Sequence, residues 1–90
     1  MAHARKQVEI QNKFGLHARP AAKFVQLASK FKCEISVRKD KQTVNGKSVM
    51  EMMMLAAAKG TKIIIEANGQ DAEEAVGALE GLIKGRFGEE

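Results

Sequence analysis

A histidine stands at the predicted start of a helix in the stretch FGLHARPAAKF, residues 14 to 24. With His17 at the N-cap, Pro20 falls in the first turn, where the amide it lacks would have no intrahelical partner. The free amides and the helix dipole favour an anion at the start of this helix. Arg19 adds a planar, positively charged guanidinium group that can bind two phosphate oxygens. Imidazole titrates near ~6.5, so at neutral pH much of it is an unprotonated nucleophile. The stretch thus suits a phosphoryl-accepting histidine, but a histidine that simply caps a helix is the commoner case, and on these residues alone both interpretations stay open.

Other histidine and cysteine chemistry finds little support in the sequence. No G-x-S-x-G elbow is present for hydrolysis by a serine nucleophile. His17 and His3 are the only imidazoles, and we expect His3 to lie in a frayed terminus, so no metal site is predicted. Cys33 is the only cysteine, which excludes an internal disulfide and predicts a small buried apolar side chain.

Composition indicates an ordinary soluble domain, and we expect residues 1–90 to form a single one. Apolar residues make up 44% of the chain and charged residues 29%, and no apolar run approaches the ~18 residues of a membrane span. The N-terminal MAHARKQ lacks the apolar stretch of a secretory signal, so the expected location is the cytoplasm.

A net charge of +4 permits an acidic partner of any class. Without Trp or Tyr, a stacking platform for nucleic acid is poorly supported.

Changes in hydrophobic period predict the element order β-α-β-β-α-β-α. Two amphipathic long helices and four half-buried strands indicate an α+β fold, with helices on one face of a mainly antiparallel sheet. The last helix is predicted to begin at a capping Asp71, with Glu74 in the capping-box position, and its C-terminal turn is expected to fray. The predicted strands cover residues 6–11, 33–38, 43–44 and 63–65, and the first two helices cover 18–31 and 49–55.

Ser48-Val49-Met50-Glu51 has the S-x-x-E pattern of a capping box, which predicts that Ser48 caps the second helix. Four methionines follow within and beside this pattern. We assign Met52 to the core together with Leu55, whereas Met50 and Met53 are predicted beside the exposed end of the helix.

Two long motifs carry a resemblance to a known family. GLHARPAAKFVQLASKF, followed by VNGKSVMEMMMLAAAKGT, resembles HPr, the histidine-containing phosphocarriers of the bacterial phosphoenolpyruvate-dependent sugar phosphotransferase system. The resemblance implies an open-faced β-sandwich of sheet order 1-4-2-3 with three helices on one face. It implies a carrier rather than an enzyme, phosphorylated at Nδ1 of His17, with Arg19 as the charge partner of the phosphoryl group.

The same resemblance implies partners and regulation. Phosphorylated enzyme I would supply the phosphoryl group and IIA components of sugar permeases would receive it, and the carrier would need no cofactor. A monomer is the default expectation for a carrier whose site must be exposed. An HPr kinase/phosphorylase would phosphorylate Ser48. The implied docking face contains Ala22, Val49, Met50 and Met53.

Two alternatives stay open on the sequence. One is an HPr-like carrier of a nitrogen-related or purely regulatory branch, and Ser48-Val49-Met50 weighs only against the nitrogen branch. The other, from a different class, is a small basic module that binds nucleic acid, which salt-dependent binding of RNA or DNA would reveal.

Overall fold

The structure, a computed structural model, describes residues 2–89. These residues form four strands and three α-helices in the predicted order, and none of the helices is long and apolar enough to cross a membrane. The elements are β1 (His3–Glu9), α1 (Ala18–Ala28), β2 (Glu34–Lys39), β3 (Gln42–Asn45), α2 (Val49–Met54), β4 (Lys62–Asn68) and α3 (Ala72–Lys84).

The four strands form one antiparallel sheet of order β1-β4-β2-β3, which confirms the predicted fold. β4 lies between β1 and β2 and is fully buried at every second residue, Ile63, Ile65 and Ala67. This alternation turns one face of the sheet toward the helices. The predicted inward residues of the second strand region, Cys33, Ile35 and Val37, are also buried.

The helices pack over that sheet face and enclose a single apolar cluster. The predicted core assignments of Met52 and Leu55 are confirmed, since neither side chain is more than 1% exposed. Phe24 of α1 and Leu79 of α3 are fully buried against the sheet. The largest apolar members of the core are Phe24, Phe87, Ile10, Met52, Leu55, Ile63, Ile65, Leu79 and Ile83.

The N-terminal strand begins earlier than predicted. β1 starts at His3 rather than at residue 6 and pairs with β4 over its whole length, His3 lying opposite Asn68. The His3 ring also lies 3.1 Å from the Glu66 carboxylate, measured from Nε2 to Oε2. The expectation of a frayed terminus at His3 is therefore wrong, because pairing with β4 holds this end of β1 in the sheet.

The first helix ends at Ala28 instead of continuing to residue 31. Beyond this point the amides of Lys30 and Phe31 bond to carbonyls three residues back, those of Leu27 and Ala28. Such tightened bonds satisfy the last carbonyls of a helix while ending its α-helical path.

Asp71 occupies the N-cap position of α3, but its side chain makes no capping bond to the helix within residues 2–89. Its two carboxylate oxygens instead accept hydrogen bonds from the amides of Lys32 and Cys33, at 2.8 and 2.9 Å. The Lys32 amide holds the pKa of the Asp71 carboxyl below its ordinary value. The predicted cap is therefore wrong: Asp71 ties the start of α3 to the segment that leads into β2.

The C-terminal turn is ordered against the core, contrary to the expected fraying. After α3 the chain makes a short 3-10 turn, Arg86–Gly88, in which Phe87 is 1% exposed. Arg86 and Phe87 both adopt left-handed backbone angles, with φ of 58° and 56°. Burial of a phenyl ring, worth about 2–3 kcal/mol, offsets that backbone strain.

Candidate functional site

The loop before α1 is built to fix the backbone that leads into the helix. The buried Asn12 side chain donates from Nδ2 to the Gly15 carbonyl at 2.6 Å, and the Gly15 amide donates back to the Asn12 carbonyl at 3.1 Å. Gly15 has a φ of 69°, a region that residues with a Cβ rarely adopt. The buried Leu16 donates its amide to the Ala57 carbonyl at 2.9 Å. The loop is therefore anchored to the segment after α2 immediately before His17.

His17 occupies the predicted N-cap position of α1, with an extended backbone. Its carbonyl accepts the first helical hydrogen bond, from the Ala21 amide at 3.0 Å. Among the described residues, however, its side chain makes no bond to an amide of the helix. The alternative of a simple side-chain cap is therefore wrong, and the imidazole is left for other contacts.

The His17 ring is partly exposed and is contacted from two sides. Its side chain is 42% exposed, and Nε2 lies 3.3 Å from Oε1 of Glu89. The Phe14 ring meets it edge to face, with the ring centroids 6.2 Å apart at an interplanar angle of 88°. A shallow, accessible position of this kind lets a second protein bring a reacting group to the ring.

Three cationic side chains and the Glu89 side chain line a cavity beside the imidazole. The cavity, of about 490 Å³, is lined by Arg19, Lys23 and Lys13 as well as by His17. Lys23 donates from Nζ to the Phe87 carbonyl at 2.7 Å, and Lys13 lies over the Phe14 ring with Nζ 5.3 Å from its centroid. Within residues 2–89 Arg19 forms no ion pair, so its charge is available to an arriving anion. The start of α1 contributes further positive potential.

A second, smaller hollow of about 280 Å³ opens on the other side of Phe14. Met53 of α2 and His17 both line it, so the structure brings the predicted phosphoryl acceptor next to one predicted docking residue. Met50 is 75% exposed and Val49 is exposed beside it, whereas Ala22 is half-buried. Ala22, Val49 and Met50 line neither hollow, and their docking role stays a prediction.

Ser48 forms half of the predicted capping box. Its Oγ accepts a hydrogen bond from the Glu51 amide at 3.2 Å, as predicted for the N-cap of α2. The Glu51 carboxylate does not close the box on the Ser48 amide. It accepts from the amide of Asn45 at 2.9 Å, while the Ser48 amide donates to the Asn45 carbonyl at 3.2 Å. Ser48 is half-buried in this turn and lines neither hollow around His17.

Four side chains that line the cavity went unrecognised in the sequence: the cationic Lys13 and Lys23, the aromatic Phe14 and the acidic Glu89. Phe14 is 72% exposed and lines both hollows, and the signal available for it was a large aromatic residue directly before Gly15. Glu89 carried no signal at all, because it reaches His17 through a turn whose path could not be predicted.

Comparison with known proteins decides the family. The family model described as the PTS HPr component phosphorylation site matches residues 4–85. The chain belongs to the HPr family. HPr proteins are phosphocarriers of the phosphotransferase system, in agreement with the resemblance seen in the two motifs.

Relatives in the HPr family match nearly the whole chain. The phosphocarrier protein HPr of Neisseria meningitidis serogroup A is 56% identical over 85 residues, which cover 94% of this chain and 96% of that protein. The crystal structure of HPr-C-His from Thermoanaerobacter tengcongensis has a TM-score of 0.93 and 52% identity, covering 97% of this chain and 98% of that one. A crystal structure of an HPr dimer from the same organism has a TM-score of 0.78 and 54% identity, covering 91% and 94%.

Proposed function

We propose that this HPr accepts a phosphoryl group on Nδ1 of His17 from phosphorylated enzyme I and passes it to IIA components of sugar permeases. It would do so in the cytoplasm, as a carrier without a cofactor of its own. The observation that carries the proposal is the position of His17. Its ring is not used as a helix cap, is open to a partner protein, and lies in a cavity lined by three cationic side chains.

The imidazole, the start of α1 and Arg19 each have a task in phosphoryl transfer. The neutral imidazole supplies the attacking lone pair, while the start of α1 and the Arg19 guanidinium stabilise the negative charge that arrives. Enzyme I and the IIA domains would each have to place their own reacting atom in line with His17. The partly exposed ring permits this approach.

The proposal is tested by intact mass after incubation with phosphoenolpyruvate, Mg²⁺ and a matched enzyme I. We expect the mass of one added phosphoryl group, which is lost in mild acid. Transfer onward is followed by adding purified IIA domains and measuring the loss of phosphate from the carrier. No addition by an enzyme I that is active on another HPr would contradict the proposal.

Arg19→Ala is expected to slow phosphoryl transfer from enzyme I by about tenfold without preventing it, since one of several cationic groups is removed from a partly solvated site. Stopped reactions with phosphorylated enzyme I measure the rate. Arg5→Ala is the matched control, because it removes the same charge from an exposed position on β1 that does not line the cavity. Equal rates for the two variants would remove the proposed role of Arg19.

The proposed docking face combines the apolar residues of α2 with Ala22 of α1. Val49, Met50 and Met53 are all exposed, and flexible thioethers suit a surface that must meet several partners. Phe14, found in the structure, extends this surface to the edge of the His17 ring.

We propose a monomeric carrier, because transfer from enzyme I and to IIA domains both need this docking face uncovered. Light scattering at working concentrations measures the molar mass and tests this proposal.

We further propose that an HPr kinase/phosphorylase phosphorylates Ser48. The Ser48 hydroxyl already accepts the Glu51 amide, and a phosphate would keep acceptor oxygens at the same end of α2. The fold can therefore persist after modification. About two added negative charges next to the exposed Val49 and Met50 would act instead on the docking of acidic partners.

Ser48→Asp is expected to lower kcat/KM for phosphorylation by enzyme I by about tenfold through repulsion at the docking face. Ser48→Asn is the matched control. Asparagine has nearly the same shape as aspartate and caps a helix equally well, but it carries no charge. Steady-state kinetics with both variants separate the two roles. If aspartate and asparagine gave the same rate, Ser48 would be a structural cap only.

A further inference from the structure

The C-terminal segment beyond the part matched by the family model returns to the proposed phosphorylation site. The match ends at residue 85, and Glu89 lies past it. Oε1 of Glu89 is 3.3 Å from Nε2 of His17 and 3.3 Å from Nδ2 of Asn12. The Glu89 side chain is only 18% exposed, so the structure holds it in place rather than leaving it in solvent.

Several contacts fix the path of this segment. Phe87 is buried in the core, and its carbonyl accepts a hydrogen bond from Nζ of Lys23 at 2.7 Å. The Gly88 amide bonds to the Gly85 carbonyl at 3.1 Å, and the Glu89 amide bonds to the Arg86 carbonyl at 2.8 Å. Burial of Phe87 thereby sets where the next two residues can go.

Asn12 also contacts the Glu89 carboxylate. It is fully buried, and its Nδ2 group faces two acceptors, the Gly15 carbonyl at 2.6 Å and Oε1 of Glu89. An amide nitrogen carries two hydrogens, one for each acceptor, so this orientation of the side chain is the favourable one. The loop that presents His17 and the segment that carries Glu89 are thus joined through one buried side chain.

The contact between Glu89 and Nε2 of His17 indicates which ring nitrogen keeps an unshared lone pair. Because an ionised carboxylate can only accept hydrogen bonds, a hydrogen bond between these two atoms requires Nε2 to be the donor and to carry the ring proton. In a neutral imidazole the other nitrogen, Nδ1, then holds the lone pair. We propose that Glu89 is a positioning residue for phosphoryl transfer, which holds His17 as the Nε2–H tautomer with Nδ1 as the nucleophile.

This inference rests on the proposed function and specifies one further effect of the carboxylate. As the bond from Nδ1 to phosphorus forms, the bond from phosphorus to the donor nitrogen of enzyme I breaks, and its electron pair returns to that nitrogen. The proton on Nε2 stays in place, and the ring acquires positive charge. Glu89 stabilises this charge from the opposite side of the ring, as the aspartate of a serine-protease triad does for its histidine.

The first test is the tautomer of His17 in the unphosphorylated protein. Ring ¹⁵N chemical shifts are measured on histidine-labelled full-length protein above the range in which imidazole titrates. We expect the Nε2–H form in the wild type and an increased Nδ1–H fraction in Glu89→Ala. Glu66→Ala is the matched control, because it makes the same change at a glutamate that contacts the ring of His3 instead of His17.

The second test is the rate of phosphorylation by enzyme I. Glu89→Ala is expected to slow transfer about threefold to tenfold, as for loss of a charge-assisted contact in a partly exposed site, and Glu89→Asp to restore part of it. Glu66→Ala should transfer at the wild-type rate. Unchanged ¹⁵N shifts of His17, or transfer by Glu89→Ala as fast as or faster than wild type, would overturn the inference.

The two measurements separate this inference from the proposed function. The tautomer is read without enzyme I, and the wild type reports on the carrier role by itself. A wild type that is not phosphorylated contradicts the proposed function. A wild type and a Glu89→Ala variant phosphorylated at equal rates contradict only the role of Glu89.

Discussion

Replacement of His17 by alanine is expected to abolish acid-labile phosphorylation by enzyme I while leaving the fold intact. The chain has one other histidine, and His17 is the only imidazole that lines the cavity within residues 2–89. The His17 side chain is partly exposed and makes no capping bond within residues 2–89, so its loss should change the free energy of unfolding by less than ~0.5 kcal/mol. Intact mass measures the phosphate, and thermal unfolding measures stability.

His3→Ala is the control for this experiment. It removes the second imidazole, which lies at the start of β1 and contacts Glu66 rather than the cavity. We expect His3→Ala to accept one phosphoryl group at the wild-type rate. Phosphate retained by His17→Ala, or lost from His3→Ala, would place the acceptor elsewhere in the chain.

The parts of this molecule that local rules govern were predictable from the sequence. The N-cap position of His17 follows from the Arg-Pro that comes after it, and the bond from the Glu51 amide to Ser48 follows from a four-residue pattern. The order of the elements follows from hydrophobic period. In each case the residues that decide the structure are close neighbours in the chain. The sheet order and the identity of the acceptor nitrogen came only through the family resemblance.

Errors arose where a side chain had both a local and a distant partner available. Asp71 was predicted to cap α3, but its carboxylate binds the amides of Lys32 and Cys33, which lie about forty residues earlier. Both alternatives satisfy the carboxylate equally in chemical terms. The choice depends on how close the fold brings the two segments, and a sequence pattern does not contain that distance.

The C-terminal end shows the same limit at the site itself. Its glycines predicted a frayed turn, since each glycine in a helix costs about 1 kcal/mol relative to alanine. Burial of Phe87 outweighed the low helix propensity of these glycines. The same burial places Glu89 beside His17, although the two residues are 72 positions apart in the sequence. Phe14, in contrast, directly precedes the recognised motif, and the sequence pattern did not predict that its side chain would be exposed.

Gly15→Ala is expected to be the most damaging substitution that leaves every reacting group in place. A Cβ at this position would lie 2.5 Å from the Ala57 carbonyl oxygen and 2.9 Å from Cα of Ala58, and the φ of 69° disfavours any residue with a side chain. Both neighbours are backbone atoms and cannot move aside by a change of rotamer. We expect a loss of about 2–4 kcal/mol in the free energy of unfolding, measured by urea denaturation.

The functional consequence of Gly15→Ala follows from the same contacts. The loop must move away from Ala57, which weakens the bond between the Leu16 amide and the Ala57 carbonyl and shifts His17 relative to the cations of α1. A displacement of about 1 Å at a reacting group can reduce the rate of transfer up to a hundredfold. Phosphorylation by enzyme I is therefore measured at a temperature where the variant is shown by circular dichroism to be folded.

Gly81→Ala provides a control with the same chemical change and the opposite expected sign. Gly81 lies on the exposed face of α3, and a Cβ there meets no atom within 4 Å. Alanine is the better helix former, so this variant should gain about 0.5–1 kcal/mol and transfer phosphate normally. If Gly15→Ala were as stable and as active as Gly81→Ala, the loop before α1 would tolerate movement. The position of His17 would then be set by α1 alone, without the anchor to Ala57.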